Sequence, residues 1–375
     1  MAEHLFTVNI KGVLERNFPG QSEIIFANSP LIQYINNKTR SASSGSKSRS
    51  SFANIYALYV LIEDYIRNDF HISGEYINYP GSVYKDLFRR QRELPFGAKL
   101  QNHALNNRLN SEFLKWFPGL DFVPITRVTD SERYWINENL LKVRISGSEV
   151  NIAEAIIEII DDYISTKKDS LDRFLRTCTE LQSISGEEHE KVEEFILTQL
   201  APNVDARLFE IVSYAILKYF FSDQVIYWGY ELETVKEENL KLFKTGRTNA
   251  NDGGIDFVMQ PLGRFFQVTE TLDFKKYFLD IDKLQKYKIT FIIKSEEDKA
   301  TLFAKIEADA LRTYSVKRVV EHYMACIEEI ITITDLKERF NVAAENGYLI
   351  EILNEIIIQS KVEFNYEEID VDEEI

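Results

Sequence analysis

Residues 207–221 read RLFEIVSYAILKYFF, a helical segment that is apolar on nearly every side. Such a helix cannot lie on a surface with one face in water, so other elements must enclose it. The residues after it say which elements. Val225 to Leu232 reads as a strand, and Glu233 to Phe243 is polar and reads as helical or irregular. Gly246 to Gly254 is a loop of Asn, Asp and Gly. Ile255 to Gln260 and Arg264 to Glu270 read as strands around the turn signal Pro261-Leu262-Gly263. A helical stretch from Asp280 to Lys288 and a buried strand from Ile289 to Lys294 complete the series. The order predicts an α/β fold with a mixed central sheet flanked by helices.

The remainder is mainly helical in pattern. Phe52 to Ile66 carries apolar residues at Ile55, Leu58, Tyr59 and Ile62, the spacing of a core helix. Val150 to Ser165 and Ser170 to Leu200 read as amphipathic helices, the second broken near Ser185-Gly186. Helices are predicted again over Glu296 to Leu311 and Asp335 to Ile358, before an acidic end at Phe364 to Ile375. Three regions follow: a largely helical 1–200, a core at 201–320, and C-terminal helices with an acidic tail at 321–375. Two widely separated cysteines, Cys178 and Cys326, fit a reducing, cytoplasmic setting. No apolar run reaches the roughly 18–20 residues of a membrane span, so no membrane partner is expected.

The net charge of -16 argues against a polyanionic partner until its distribution is considered. Residues 1–127 hold 15 Lys and Arg against 11 Asp and Glu, whereas the chain from Glu321 holds 3 against 15. A phosphate backbone responds to the local field, and the N-terminal third supplies a favourable one. Residues 37–51 carry Lys38, Arg40, Lys47 and Arg49 among Ser and Gly without an anion. That composition predicts a mobile loop that orders on phosphates. Between Arg89 and Asn110 the chain is dense in Arg, Asn and Gln, the side chains that pair with guanine and adenine edges. Arg92, Gln101, Asn106 and Arg108 are the candidates there for contacts to double-stranded DNA.

Candidate chemistry lies after residue 207. The buried helix carries one carboxylate, Glu210; Asp256 opens the first hairpin strand; Gln267 stands on the second. Phosphodiester hydrolysis commonly uses a divalent cation, and Mg2+ takes hard oxygen ligands, often only one or two of them carboxylates. An Asp on one strand and an oxygen donor on its hairpin partner can converge on one ion. Gln267 and Thr269, two apart on a strand, share a face.

The segment N251-D-G-G-I-D256 with F265-F-Q-V-T269, preceded by L208-F-E-I-V-S-Y-A-I-L217, resembles the Mrr-like branch of the PD-(D/E)xK nuclease superfamily. The likeness covers roughly residues 205–295, and the whole looks like a type II restriction endonuclease. It implies a PD-(D/E)xK-type sheet, Glu210 and Asp256 as metal-side carboxylates, and Gln267 as a ligand in a slot usually held by Glu or Asp. It also implies Mg2+-dependent cleavage of DNA leaving 5′-phosphate and 3′-hydroxyl ends. A homodimer would match a palindromic site. One position departs from the pattern. Thr269 stands where the family has Lys, with Lys275, Lys276, Lys294 or a ligand role for Glu270 as ways round it. Two other readings stay open: a modification-dependent or repair nuclease, and a non-catalytic DNA-binding or protein-interaction module.

Overall fold

The computed structural model describes residues 3–40, 48–73, 75–98, 100–128, 130–145, 147–183, 189–245, 255–270, 277–278, 281, 287–314 and 316–364. The chain divides into two compact units, Met1–Arg173 and Phe174–Ile375. The division therefore falls before residue 200, and the helices after 321 belong with the second unit. Among the described residues no helix is long and apolar enough to cross a membrane.

The first unit opens with α1 (Leu5–Asn17), α2 (Ser22–Asn28) and α3 (Pro30–Lys38). Ser29 caps α3, its hydroxyl accepting from the Ile32 amide at 3.2 Å, with Pro30 in the first turn where its missing N–H costs nothing. Next comes α4 (Ser48–Arg67), followed by α5 (Phe70–Ser73). Every residue of α4 from Phe52 to Ile62 is buried. This stretch is enclosed on all sides, which the apolar stripe in its sequence understates. β1 (Ser82–Val83) leads into α6 (Tyr84–Glu93), and a π-helical turn at Ala104–Arg108 into α7 (Leu109–Trp116). β2 (Ile125–Val128) and β3 (Arg133–Ile136) complete a small antiparallel sheet ordered β1-β3-β2. β4 (Lys142–Ile145) and β5 (Ser148–Asn151) form a hairpin before α8 (Ala153–Gln182), within which the two units divide. The expectation of a 37–51 loop is corrected at both ends. Asn37 and Lys38 finish α3, Ser48 begins α4, and residues 41–47 lie outside the described residues.

The second unit continues with α9 (His189–Thr198) and α10 (Ala206–Ser222). Asp205 caps α10 through the Arg207 amide at 2.9 Å. β6 (Val225–Trp228) and β7 (Lys236–Asn239) form a separate hairpin. β8 (Lys241–Lys244), β9 (Phe257–Gln260), β10 (Arg264–Thr269), β11 (Ile289–Ile293) and β12 (Ile327–Ile331) make a five-stranded sheet ordered β12-β11-β10-β9-β8. β8, β9 and β10 are an antiparallel meander, while β11 runs parallel to β10 and β12 parallel to β11. The order from 206 is thus helix, three-strand meander, crossover, parallel strand, with β6–β7 inserted after the helix. Between β11 and β12 lie α11 (Lys299–Thr313) and α12 (Lys317–Cys326); α13 (Ile333–Glu345) and α14 (Leu349–Phe364) close the unit.

Side-chain alternation gives the sheet two covered faces. Phe257, Met259, Phe266 and Ile292 enter a core with α10, α13 and α14. Phe291 and Ile293 enter another with Tyr277, Leu302 and Tyr323. Three expectations need correction. Residues 236–244 are strands, because pairing supplies what Lys, Glu and Asn lack in intrinsic preference. β12 was not expected at all. The helix foreseen over 335–358 is two helices, divided where Gly347 takes φ 90° and its amide bonds the Ala344 carbonyl at 2.9 Å, a helix-ending glycine. The Gly246–Gly254 loop and most of the Asp280–Lys288 helix lie outside the described residues.

Candidate active site

Asp256 immediately precedes β9, and backbone bonds fix it from three directions. Its amide donates to the Phe266 carbonyl at 2.8 Å. Its carbonyl accepts from the Thr245 amide at 3.0 Å and the Thr245 hydroxyl at 3.2 Å, just beyond β8. Its carboxylate Oδ2 accepts from the Val268 amide at 2.6 Å. Phe266 and Val268 flank Gln267, so Asp256 is bonded on both sides of the glutamine proposed as its partner. A carboxylate here occupies the rung where a backbone carbonyl of β9 would otherwise stand. The paired register of β9 and β10 ends at Phe257 and Phe266, and an anionic oxygen is held at this opening.

Gln267 donates its side-chain amide to the Val268 carbonyl at 3.1 Å. Its carbonyl Oε1 is buried and has no hydrogen-bond partner among the described residues. Burying such an oxygen unsatisfied costs about 1–3 kcal/mol. A cation supplied from outside the chain would satisfy it. Thr269, two residues on, is half-buried on the same face, and its carbonyl accepts from the Lys294 amide at 2.9 Å.

Glu210 corrects the expectation of a three-residue cluster. Its carboxylate is buried and lies 3.0 Å from the ammonium of Lys244 on β8. Lys244 stands opposite Phe257 in the ladder, on the face covered by α10. Gln267 alternates with Phe266 and Val268, which pack on that same face, and so projects from the other. Glu210 and Gln267 are on opposite sides of the sheet, because a helix packed on one face delivers its carboxylate only there. Among the described residues no group of three or more His, Cys, Asp and Glu is placed to hold a metal ion. Among the described residues the side-chain oxygen donors brought to the opening are Asp256 and Gln267, and Mg2+ commonly takes few protein ligands and keeps most of its waters.

Lys294 also lies on the α10 face. Its ammonium is almost wholly buried, donates to Glu270 Oε1 at 2.9 Å and to the Val204 carbonyl, and sits 5.6 Å from the centre of the Phe209 ring. It is held away from the position that Thr269 leaves uncharged, and Glu270 is its counter-ion. Lys275 and Lys276 lie outside the described residues. Lys244 was not singled out from the sequence; the alternation of Lys241-Leu242-Phe243-Lys244 carries the signal once that segment is read as a strand.

The expected DNA contacts divide sharply. Lys38 is buried, with its ammonium 2.6 Å from Glu112 Oε1, and Asn54 donates to the other oxygen of Glu112 at 2.6 Å. Burial pulls the Lys38 pKa down, against the pull of Glu112. Lys38 is therefore a core cation and not a phosphate clamp. Arg40 is exposed, Lys47 lies outside the described residues, and so does the side chain of Arg49, whose backbone is in α4. Arg92, Gln101 and Arg108 are exposed; Asn106 is half-buried and accepts from the Tyr134 hydroxyl at 3.1 Å. Comparison of the chain with protein-family models, with curated proteins and with solved structures returns no match.

Proposed function

We propose that this chain is a magnesium-dependent endonuclease that hydrolyses double-stranded DNA at a specific short, palindromic site, acting as a homodimer of the type II restriction kind. The reading rests first on Asp256, a carboxylate pinned across the opening of β9 and β10 beside a glutamine whose carbonyl oxygen has no partner. The helix–meander–crossover–strand order around it supports a PD-(D/E)xK-type core.

A divalent cation at such a pair would polarise the phosphoryl oxygen and lower the pKa of an attacking water. In this reading Asp256 supplies the anionic oxygen, and the Val268 amide holds its orientation so that none is lost on binding. Gln267 supplies a neutral oxygen. With Asp256 the single carboxylate at the opening among the described residues, the affinity for Mg2+ is modest and activity requires millimolar-range metal, an order-of-magnitude expectation for water-rich sites. Glu210 with Lys244, and Glu270 with Lys294, anchor α10 and β11 against the face behind the site.

The test is incubation of the full chain with supercoiled plasmid in Mg2+ or in EDTA, then digestion of a defined DNA. Metal-dependent nicking with discrete fragments supports the reading. No nicking at any metal concentration, with DNA still bound, would establish the non-catalytic DNA-binding alternative, which the uncharged Thr269 favours. Cleavage confined to methylated DNA would make it a modification-dependent enzyme.

A further inference from the structure

The outer face of α6 holds two aromatic rings and three cations around a shallow groove of about 470 Å³. The inner face fixes the helix. Leu87 and Gln91 are buried, the Gln91 side-chain amide donates to the Ala53 carbonyl at 3.0 Å, and Arg90 forms a two-pronged pair with Glu63 at 2.8 and 2.9 Å. Residues 84, 85, 88, 89 and 92 share the side away from Leu87 and Gln91, as the 3.6-residue repeat requires; Lys85, Arg89 and Arg92 are exposed there, and Tyr84 and Phe88 are half-buried against the core. The Tyr84 and Phe88 rings are parallel to within 5° with centroids 6.1 Å apart. The Tyr84 ring also packs on Tyr134, with centroids 5.3 Å apart and a tilt of 36°. The Arg92 guanidinium lies 5.7 Å from the Phe88 centroid and is steadied by an Nε–H bond to the Ala98 carbonyl at 2.8 Å. Arg89 is largely exposed, paired with Asp86 at 2.7 Å and more loosely with Glu93 at 3.9 Å. Lys85 is exposed and has no ion-pair partner among the described residues. Lys85, Arg89 and Arg92 line the groove with a single carboxylate, Glu93, in a protein whose net charge is -16.

We infer that this groove is a stacking shelf for an unpaired base of a DNA strand, with the adjoining phosphate held by Lys85 and Arg89. A duplex offers its bases edge-on and its π-faces are already stacked. A shelf of parallel rings needs an exposed π-face, which only an unpaired or extruded base provides. The cationic rim fits the phosphate attached to that base, and a shelf without such a rim would bind any flat apolar molecule. In the sequence the site shows only through Arg89 and Arg92, at the start of the donor-rich stretch; the aromatic partners emerge from the helix packing. The inference stands on the first unit and does not depend on the nuclease reading.

The experiment uses the full chain in EDTA, which removes divalent metal, and a short single-stranded DNA carrying 2-aminopurine. Binding should quench the fluorophore, as stacking does. Phe88→Ala and Phe88→Leu should each weaken binding about tenfold, within the roughly 1–3 kcal/mol found for base–aromatic stacking. Phe88→Trp should bind as wild type. Phe88→Leu keeps an apolar side chain under Arg92, and its thermal unfolding, matched to wild type, separates lost stacking from lost fold. Lys85→Ala should lower the salt slope by about 0.7 while leaving the quench of the bound complex unchanged. The inference is overturned if Phe88→Leu binds like wild type, if an abasic strand binds equally well, if blunt duplex loses as much affinity as the single strand, or if free deoxynucleotide binds as tightly as the oligonucleotide.

Discussion

Gln91 on α6 and Gln267 on β10 are the same side chain in two regions of the molecule, and their local bonding is nearly identical. Each donates its amide to a backbone carbonyl, at 3.0 and 3.1 Å, and each keeps a buried carbonyl oxygen without a partner. Their surroundings differ. Around α6 and α4 the charges close on one another: Arg90 on Glu63, Lys38 on Glu112, and Ser82 with Tyr79 on the Asp64 carboxylate. At the β9–β10 opening, Asp256 is bonded to the backbone on both sides of Gln267. An unsatisfied oxygen by itself is a small cost of packing. Beside a fixed carboxylate, the same oxygen is what the proposed cation site would use.

The largest expected effect is at Asp256. Asp256→Asn keeps an oxygen to accept from the Val268 amide and removes the charge. Cleavage of plasmid should fall about a thousand-fold, roughly 4 kcal/mol of transition-state stabilisation, with thermal unfolding close to wild type. A variant that still cuts at the wild-type rate would make Asp256 a ladder clamp and erase the distinction between the two glutamines.

The glutamines themselves come next. Gln267→Ala should reduce cleavage by about 10–100-fold, the range seen when groups supporting a metal are removed. Gln91→Ala should leave cleavage unchanged and lower the unfolding free energy by roughly 1 kcal/mol. Denaturant melts and a metal titration of cleavage measure both, and equal effects of the two variants on cleavage would remove the contrast.

A third test addresses the closed charges of the first unit. Glu112→Gln leaves the buried Lys38 ammonium without its counter-ion and should destabilise by about 2–3 kcal/mol, somewhat below the usual cost of a fully buried broken pair because Glu112 is partly exposed. Burial holds the Lys38 pKa below its unfolded value, so between those values the unfolded chain binds more protons and stability rises with pH. Wild type should therefore gain stability relative to Lys38→Met as pH climbs toward the ordinary lysine range. A gap that does not move with pH would mean that Lys38 is not held as a buried charge.

The smallest expected change is a gain. Thr269→Lys adds a cation on the face of Gln267, where Lys294 does not reach, and should raise cleavage several-fold, about 1 kcal/mol. Lys294→Met should not alter cleavage in protein that remains folded. If Thr269→Lys abolishes cleavage instead, the space at that position is already filled.

The fold was legible wherever one segment carried its own pattern. RLFEIVSYAILKYFF could only be an enclosed helix, and α10 is one, with Phe209 to Leu217 all buried. Pro261-Leu262-Gly263 between two apolar runs gave β9 and β10. β7, β8 and β12 were not legible because polar strands owe their extension to neighbours distant in sequence. The same limit hid Lys38. Among serines and other cations it looks like a solvated charge, and nothing local reveals that Glu112 waits for it on α7.

For the site, the sequence by itself determined the chemical types: a carboxylate on a buried helix, an Asp before a strand, an amide on the next, and a hydroxyl where a lysine would complete the pattern. These follow from residue identity and strand periodicity alone. The tertiary structure decided which of them meet. Asp256 adjoins Gln267 because the antiparallel ladder of β9 and β10 brings their backbones together. Glu210 does not, because α10 covers one face of the sheet while Gln267 alternates to the other, and Lys244 rises from β8 to neutralise it. Periodicity fixes the face of a strand on which a side chain stands; only packing says which face of the sheet the helix covers.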